Sequence, residues 1–223
     1  MTGRLGLLLA AACALAGTAS AAGSDPREPQ KRHNPADQAW ARAIRIQRAD
    51  LGAGDWRLEH SSGNDSKAPQ DCKNPDLSDL VETGGSDDPD WSRGGGFVGT
   101  SVSVFVNPRQ ATAAWNRLAH QPTTRCLADA LKQGMAGSGL RVRIASNGSL
   151  PLPKLAPHFA SGRVRLILSS SRATIKGRLS YYLYARGRAT AMLMVASFDR
   201  PLQPISATLE RHLADLVAER LSR

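Results

Sequence analysis

The 223-residue chain is poor in cysteine and in aromatic residues, with three cysteines and 5% Phe, Trp and Tyr. After residue 21 it also lacks any run of about 18 uninterrupted apolar residues, which a membrane-spanning helix would need. We therefore do not expect the mature chain to be an integral membrane protein. Roughly 200 residues remain, enough to bury one sizeable core.

The one long apolar segment lies at the N-terminus. Arg4 precedes the apolar residues 5–17, and Ala19-Ser20-Ala21 offers small residues to a signal peptidase. This pattern predicts a signal peptide over residues 1–21 and a secreted protein. In an alternative interpretation the residues before Cys13 form a lipobox, and a lipid on Cys13 holds the protein at the outer face of the cytoplasmic membrane.

Removal of the leader would leave Cys72 and Cys126 as the remaining cysteines. An even pair in an exported protein is most simply a disulfide. The loop it closes is long, so the loop-entropy relation gives a stabilisation on the order of 4 kcal/mol. No CxxC spacing or paired histidines accompany these cysteines, so neither a metal site nor a cofactor is predicted.

Basic residues outnumber acidic ones, 29 to 19, for a net charge of +10. The acids concentrate between residues 50 and 93 and the bases after residue 94. Such an excess attracts anionic small molecules, lipid headgroups and cell-envelope polymers. Nucleic acid is not an expected partner, because single-strand binders interleave aromatic side chains for base stacking, and here only the tyrosines at 181, 182 and 184 cluster.

Composition and periodicity divide the chain into a disordered linker over residues 22–33 and one α+β domain over residues 34–223. Residues 61–90, rich in Asp, Ser, Gly and Pro, predict a long loop. Cap signals at Asn34-Pro35 and Asn107-Pro108 predict two helix starts. A further helix is predicted to contain Cys126, and another to begin near Ile205, where apolar residues recur at three and four positions.

Alternating apolar residues predict the strands of an antiparallel sheet flanked by these helices, with the C-terminal helix packed on it. The last two strands read as a hairpin with its turn at Arg186-Gly187. The predicted strands cover residues 56–60, 98–106, 140–145, 163–169, 174–185 and 188–198.

The glycine-rich motif, the histidines and the acids of the long loop are each interpreted as structural rather than functional. Gly94 to Gly99 matches G-x-G-x-x-G, but it leads into a strand rather than from a strand into a helix, so no nucleotide site is predicted. No G-x-S-x-G elbow is present, and the five histidines lack HxH or HExxH spacing. The acids near Asp87 lack the EF-hand pattern and are interpreted as solvated loop residues.

The predicted strands carry one feature that favours a function. On each of three strands, apolar residues point one way and basic residues the other, which would give one sheet surface a ladder of cations if the strands are neighbours. A solvated face that guards an edge strand is the simpler interpretation. The functional one is a site for an anionic ligand, because Arg presents paired donors to phosphate and carboxylate. The candidate ligand-binding residues are Arg141, Arg143, Arg163, Arg165, Lys176, Arg178 and Tyr182.

The order of short motifs resembles a known family. A helix is followed by Ala49-Asp50-Leu51 and Trp56, a cysteine-containing loop, a valine-rich strand, an A-x-x-A-W helix ending at Trp115, a cysteine-containing helix, and a terminal sheet and helix. This order resembles secreted actinobacterial sensor-like domains, in particular the extracellular domains of mycobacterial PknH-type serine/threonine kinases. The resemblance implies an antiparallel sheet flanked by helices, a ligand-binding cleft and no enzymatic activity. Those domains carry two disulfides, whereas this chain can form one. They are also attached to a transmembrane kinase.

The leading hypothesis is an exported, non-enzymatic ligand-binding or sensor-like module of the cell envelope that favours anionic or amphiphilic ligands. One alternative is an envelope hydrolase whose site assembles only in space, with His60, His120 or His158 as the general base. Another is a structural protein that binds a partner protein and no small ligand.

Overall fold

The computed structural model describes residues 26–59, 75–86, 90–120, 123–134, 140–171, 173–199 and 203–223. The predicted signal peptide, the lipidation alternative, His60 and Cys72 fall outside these residues. In chain order the elements are β1 (Gln30–Lys31), α1 (Pro35–Ile44), a 3-10 turn (Arg48–Leu51), β2 (Arg57–Glu59), β3 (Val81–Ser86), β4 (Asp90–Arg93), β5 (Gly96–Phe105), α2 (Pro108–Ala119), α3 (Thr123–Gly134), β6 (Arg141–Ser149), β7 (His158–Ser169), β8 (Thr174–Arg186), β9 (Ala189–Phe198) and α4 (Ala207–Arg220).

The strands form one sheet in the order β1-β3-β5-β9-β8-β7-β6, with β4 beside β5 and β2 beside β4. All pairings are antiparallel except that of β1 with β3. The predicted α+β class, with an antiparallel sheet and a C-terminal helix packed on it, is confirmed.

Helices cover both faces of the sheet. On one face, Ile44 of α1 and Leu213 of α4 pack against Val102 and Leu193 of the central strands; we call this the α1/α4 face. On the other face, Leu131 of α3 packs near Val164, and α2 also packs there through Ala111 and Ala114; this is the α2/α3 face. The buried side of each helix follows from apolar residues spaced three and four apart.

The predicted caps begin the helices as expected. The Asn34 side chain accepts a hydrogen bond from the Asp37 amide at 2.9 Å, and Asn107 accepts one from the Gln110 amide at 3.0 Å. The last helix begins two residues later than predicted, because Ser206 supplies its cap. Each cap satisfies a backbone amide that the first turn leaves without a partner.

The predicted loop and the predicted disordered linker both need correction, because each contains strand residues. The loop predicted over residues 61–90 contains β3 and the first residue of β4, and the linker predicted over 22–33 contains β1. Neither β1 nor β3 shows alternating apolar residues. Both are held by backbone bonds to neighbouring chain, such as the bond of 2.8 Å from the Gln30 amide to the carbonyl of Leu80, the residue just before β3.

The glycine-containing turns also differ in detail from expectation. The β8–β9 hairpin pairs Arg186 with Ala189, so its turn is Gly187-Arg188 rather than Arg186-Gly187. Gly187 has a φ of 56°, which glycine adopts at little cost. The G-x-G-x-x-G match begins in the hairpin between β4 and β5, where Gly94 has a φ of 51°.

Candidate functional site

The register of β6, β7 and β8 brings the predicted basic ladder together. Arg143 lies opposite Ile167, which in turn lies opposite Lys176. Arg165 lies directly opposite Arg178. Residues paired in this way share a face of the sheet, and so do residues two apart on one strand. All six basic candidates and Tyr182 therefore lie on the α1/α4 face.

The inner part of the ladder surrounds a carboxylate of α4. Glu210 is 2% exposed, and its Oε1 accepts hydrogen bonds from Arg163 Nη2 at 2.7 Å and from the Tyr182 hydroxyl at 2.7 Å. Its Oε2 accepts a hydrogen bond from Arg178 Nε at 3.1 Å. Three of the seven candidate ligand-binding residues are thus engaged with Glu210.

Backbone and hydroxyl groups complete this buried network. Arg163 Nε donates to Ser180 Oγ at 2.8 Å, and Arg178 Nη2 donates to the Ile205 carbonyl just before α4. Burial raises the pKa of Glu210, but the bonds from Tyr182 and Ser180 and the charge of Arg163 outweigh it, so the pKa is lowered. Burial also raises the pKa of Tyr182, and the neighbouring carboxylate adds to that shift. The network holds the first turns of α4 on the sheet.

The remaining residues of the ladder do not pair with Glu210. Arg141, Arg143, Arg165 and Lys176 are exposed, and among the described residues no hydrogen bond or ion pair joins them to an acid. We call these four residues the basic patch. The half-buried side chain of Ile167 lies between them.

Sequence reasoning missed further ion pairs, including two that join segments far apart in the chain. Arg188 in the β8–β9 turn donates to both carboxylate oxygens of Asp37 on α1, at 2.7 and 3.0 Å. Arg220 of α4 donates to both oxygens of Asp50, at 2.8 Å each. Because the partners are separated by 151 and 170 residues, no local spacing could have indicated them.

Three of the described histidines contact other groups of the fold. His120 Nδ1 lies 2.6 Å from the Asn116 carbonyl, and the His158 ring lies 5.2 Å from that of Trp115. His33 Nε2 lies 2.8 Å from Glu82, while its Nδ1 lies 2.6 Å from the amide nitrogen of Gln38. Both ring nitrogens of His33 are therefore engaged within the fold.

The described residues contain neither a cluster of metal ligands nor a helix that could span a membrane. Nowhere in that part of the chain do three or more His, Cys, Asp or Glu side chains gather so as to hold a metal ion. None of the described helices is long and apolar enough to cross a membrane. Cys126 lies half-exposed on α3, and its pairing with Cys72 stays a prediction.

Comparisons with known proteins give one distant likeness. No family model matches the chain, and no curated protein matches it either. Among solved structures, the chain is similar to the crystal structure of the extracellular domain of PknH from Mycobacterium tuberculosis, at 10% identity and a TM-score of 0.43. The match covers 86% of this chain and 100% of that chain. It supports the distant resemblance expected from the order of motifs and adds nothing about ligands.

Proposed function

We propose that this protein is an exported, non-enzymatic binding module of the cell envelope, and that the basic patch holds ligands bearing several phosphate or carboxylate groups. The observation that carries the proposal is that four exposed cations share one sheet face with no acidic partner among the described residues. Arg and Lys are the side chains that proteins use to bind such anions.

Several arginines elsewhere in the fold are paired with acids. Arg117, Arg188 and Arg220 each pair with an aspartate. Arg178, which lies directly opposite Arg165, is likewise paired with Glu210. Arg165 itself is exposed and has no acidic partner among the described residues, so an anionic ligand would supply its counter-charge.

The spacing of the cations favours a ligand with repeated charges. Neighbouring strands lie about 4.8 Å apart, and residues two apart on a strand lie about 6.7 Å apart. Arg143 and Lys176 stand on strands separated by β7, so their backbones are about 10 Å apart. A single phosphate group could contact all four side chains only if they converged on it. A polymer or a lipid surface with several anionic groups could contact them without such convergence.

The test compares two variants that each lose four positive charges. The patch variant replaces Arg141, Arg143, Arg165 and Lys176 with Gln. The control variant replaces four exposed arginines outside the patch with Gln, namely Arg42, Arg57, Arg109 and Arg186. Binding is measured to inorganic polyphosphate, to polyglutamate and to vesicles of phosphatidylglycerol, with phosphatidylcholine vesicles as the neutral reference.

Each basic side chain near an anionic surface contributes about 1 kcal/mol, so the patch variant should bind up to roughly a thousandfold more weakly. The control variant should lose much less affinity. Binding to vesicles alone would assign a lipid headgroup, and binding to the polymers alone would assign an envelope polymer. An equal loss in both variants would show that net charge rather than the patch is responsible, and would overturn the proposal.

A further inference from the structure

Strand β6 is the edge of the sheet on the side of the basic patch. Within the described part of the chain it pairs with β7 alone. An edge strand presents backbone N–H and C=O groups that another extended chain can pair with. Two of the four patch residues, Arg141 and Arg143, lie on this strand.

The pairing fixes which backbone groups of β6 point outward. The Leu150 amide donates to the Ser161 carbonyl, so odd-numbered residues of β7 direct their backbone groups toward β6. Arg141 and Arg143 lie opposite the odd residues 169 and 167 and so bond inward. Their neighbours Val142 and Ile144 therefore direct their N–H and C=O groups to the open edge.

The two faces of this edge differ in chemistry. Arg141 and Arg143 are exposed on the α1/α4 face. Val142 and Ile144 are half-buried on the α2/α3 face, where they pack against the cluster that includes Leu131 of α3. An added strand would thus meet cations on one side and an incompletely covered apolar cluster on the other.

We propose that the open edge of β6 binds an extended polypeptide segment in which acidic and apolar residues alternate, as an added strand of the sheet. The proposal rests on the proposed function and names one ligand class for the same patch. Acidic residues of the segment would lie opposite Arg141 and Arg143. Those positions are non-hydrogen-bonded pairs, in which facing side chains approach most closely. The apolar residues between them would pack beside Val142 and Ile144 and bury those side chains further.

The same features disfavour pairing of β6 with other strands. In an antiparallel pair of two β6 edges, the arginines of one copy would lie beside those of the other, and that repulsion disfavours self-association. A register shift between Ile144 and Ser146 interrupts regular pairing. Such bulges and edge charges hinder indiscriminate strand addition. The segment recognised is therefore short and acidic.

The experiment uses the mature full chain and an acetylated, amidated peptide of sequence TVEVEVT. We expect it to bind and to slow amide hydrogen exchange at Val142 and Ile144, whose N–H groups face the edge. N-methylation of its central valine removes a donor that would bond to β6 and should weaken binding about tenfold. N-methylation of a glutamate amide, which would face away from β6, should leave the affinity unchanged.

Charge exchange tests the side chains. The double variant Arg141→Glu with Arg143→Glu should no longer bind the peptide TVEVEVT and should bind TVKVKVT instead. The matched variant Arg42→Glu with Arg186→Glu should keep the original preference.

The outcomes separate this inference from the proposed function. Equal binding of both N-methylated peptides, or no peptide binding while polyphosphate or vesicles still bind through the patch, would overturn strand addition and leave the proposed function standing. Failure of every anionic probe would overturn both.

Discussion

The Tyr182 hydroxyl and the Glu210 carboxylate meet where α4 packs on the sheet, 2.7 Å apart. Arg163 and Arg178 donate to the same carboxylate. Removing a carboxylate from water costs several kcal/mol unless its oxygens are satisfied. Here three side-chain donors satisfy it, so the docking of the C-terminal helix depends on the inner residues of the basic ladder.

The first prediction concerns this network. Glu210→Gln keeps the shape of the side chain but leaves two arginines without their counter-charge, and we expect a loss of about 3 kcal/mol in the free energy of unfolding, measured with urea. The control is Asp215→Asn, which breaks the surface pair with Arg211 on the same helix and should cost less than about 0.5 kcal/mol. Equal stabilities of the two variants would show that the network does not hold α4.

The second prediction concerns pH. The bond from Arg188 holds the pKa of Asp37 well below its usual range, and the pKa of Glu210 is also lowered. A depressed pKa in the folded state gives stability that is present above the ordinary carboxyl pKa of about 4 and is lost as the pH falls through the lowered value. The unfolding free energy should therefore fall with acidification below about pH 4.5.

The variant Asp37→Asn combined with Glu210→Gln removes both groups and should show a flatter pH dependence in the same acid range. Acid unfolding followed by circular dichroism measures this slope directly. A slope equal to that of the unsubstituted protein would mean that other carboxylates dominate.

Local signals in the sequence predicted much of the fold. Asn34 and Asn107 act as caps because capping depends on residues only three apart. The alternation of Arg141 to Ile144 predicted both a strand and its two faces. That the basic strands are neighbours could be proposed from these faces, and the register confirms it.

Contacts between distant segments could not be predicted in this way. Glu210 appears in the sequence as an ordinary helical acid, and nothing nearby indicates that it is buried under Arg163, 47 residues earlier. Likewise the residues of β3, Val81 to Ser86, include two glycines and do not alternate between apolar and polar, so the sequence predicted a loop there. These residues are held by the partner strand β5 and by the close approach of α1.

The third prediction tests that approach at Gly84. A β-carbon there would lie inside contact distance of the Asp37 carbonyl group, and a backbone group of a helix cannot move aside without shifting the helix. Gly84→Ala should destabilise the protein by about 2 kcal/mol. Gly148→Ala is the matched control in another strand, because its β-carbon would meet nothing within 4 Å. It should be neutral or stabilising by up to about 1 kcal/mol. Similar stabilities would contradict the packing of α1 on β3.

The fourth prediction concerns the disulfide between Cys72 and Cys126. The acidic segment that contains Cys72 has few apolar residues and so can bury little apolar area, and a covalent bond to α3 would restrain it instead. The denatured, unreduced protein should have a mass two hydrogens below that of the reduced form, and a sequence beginning at Ala22 if the signal peptide is cleaved there. The variants Cys72→Ser and Cys126→Ser should each lose about 2 to 4 kcal/mol, and the double variant should lose no more than either, because one bond is removed in all three. Additive losses would show that the two cysteines contribute separately and are not paired.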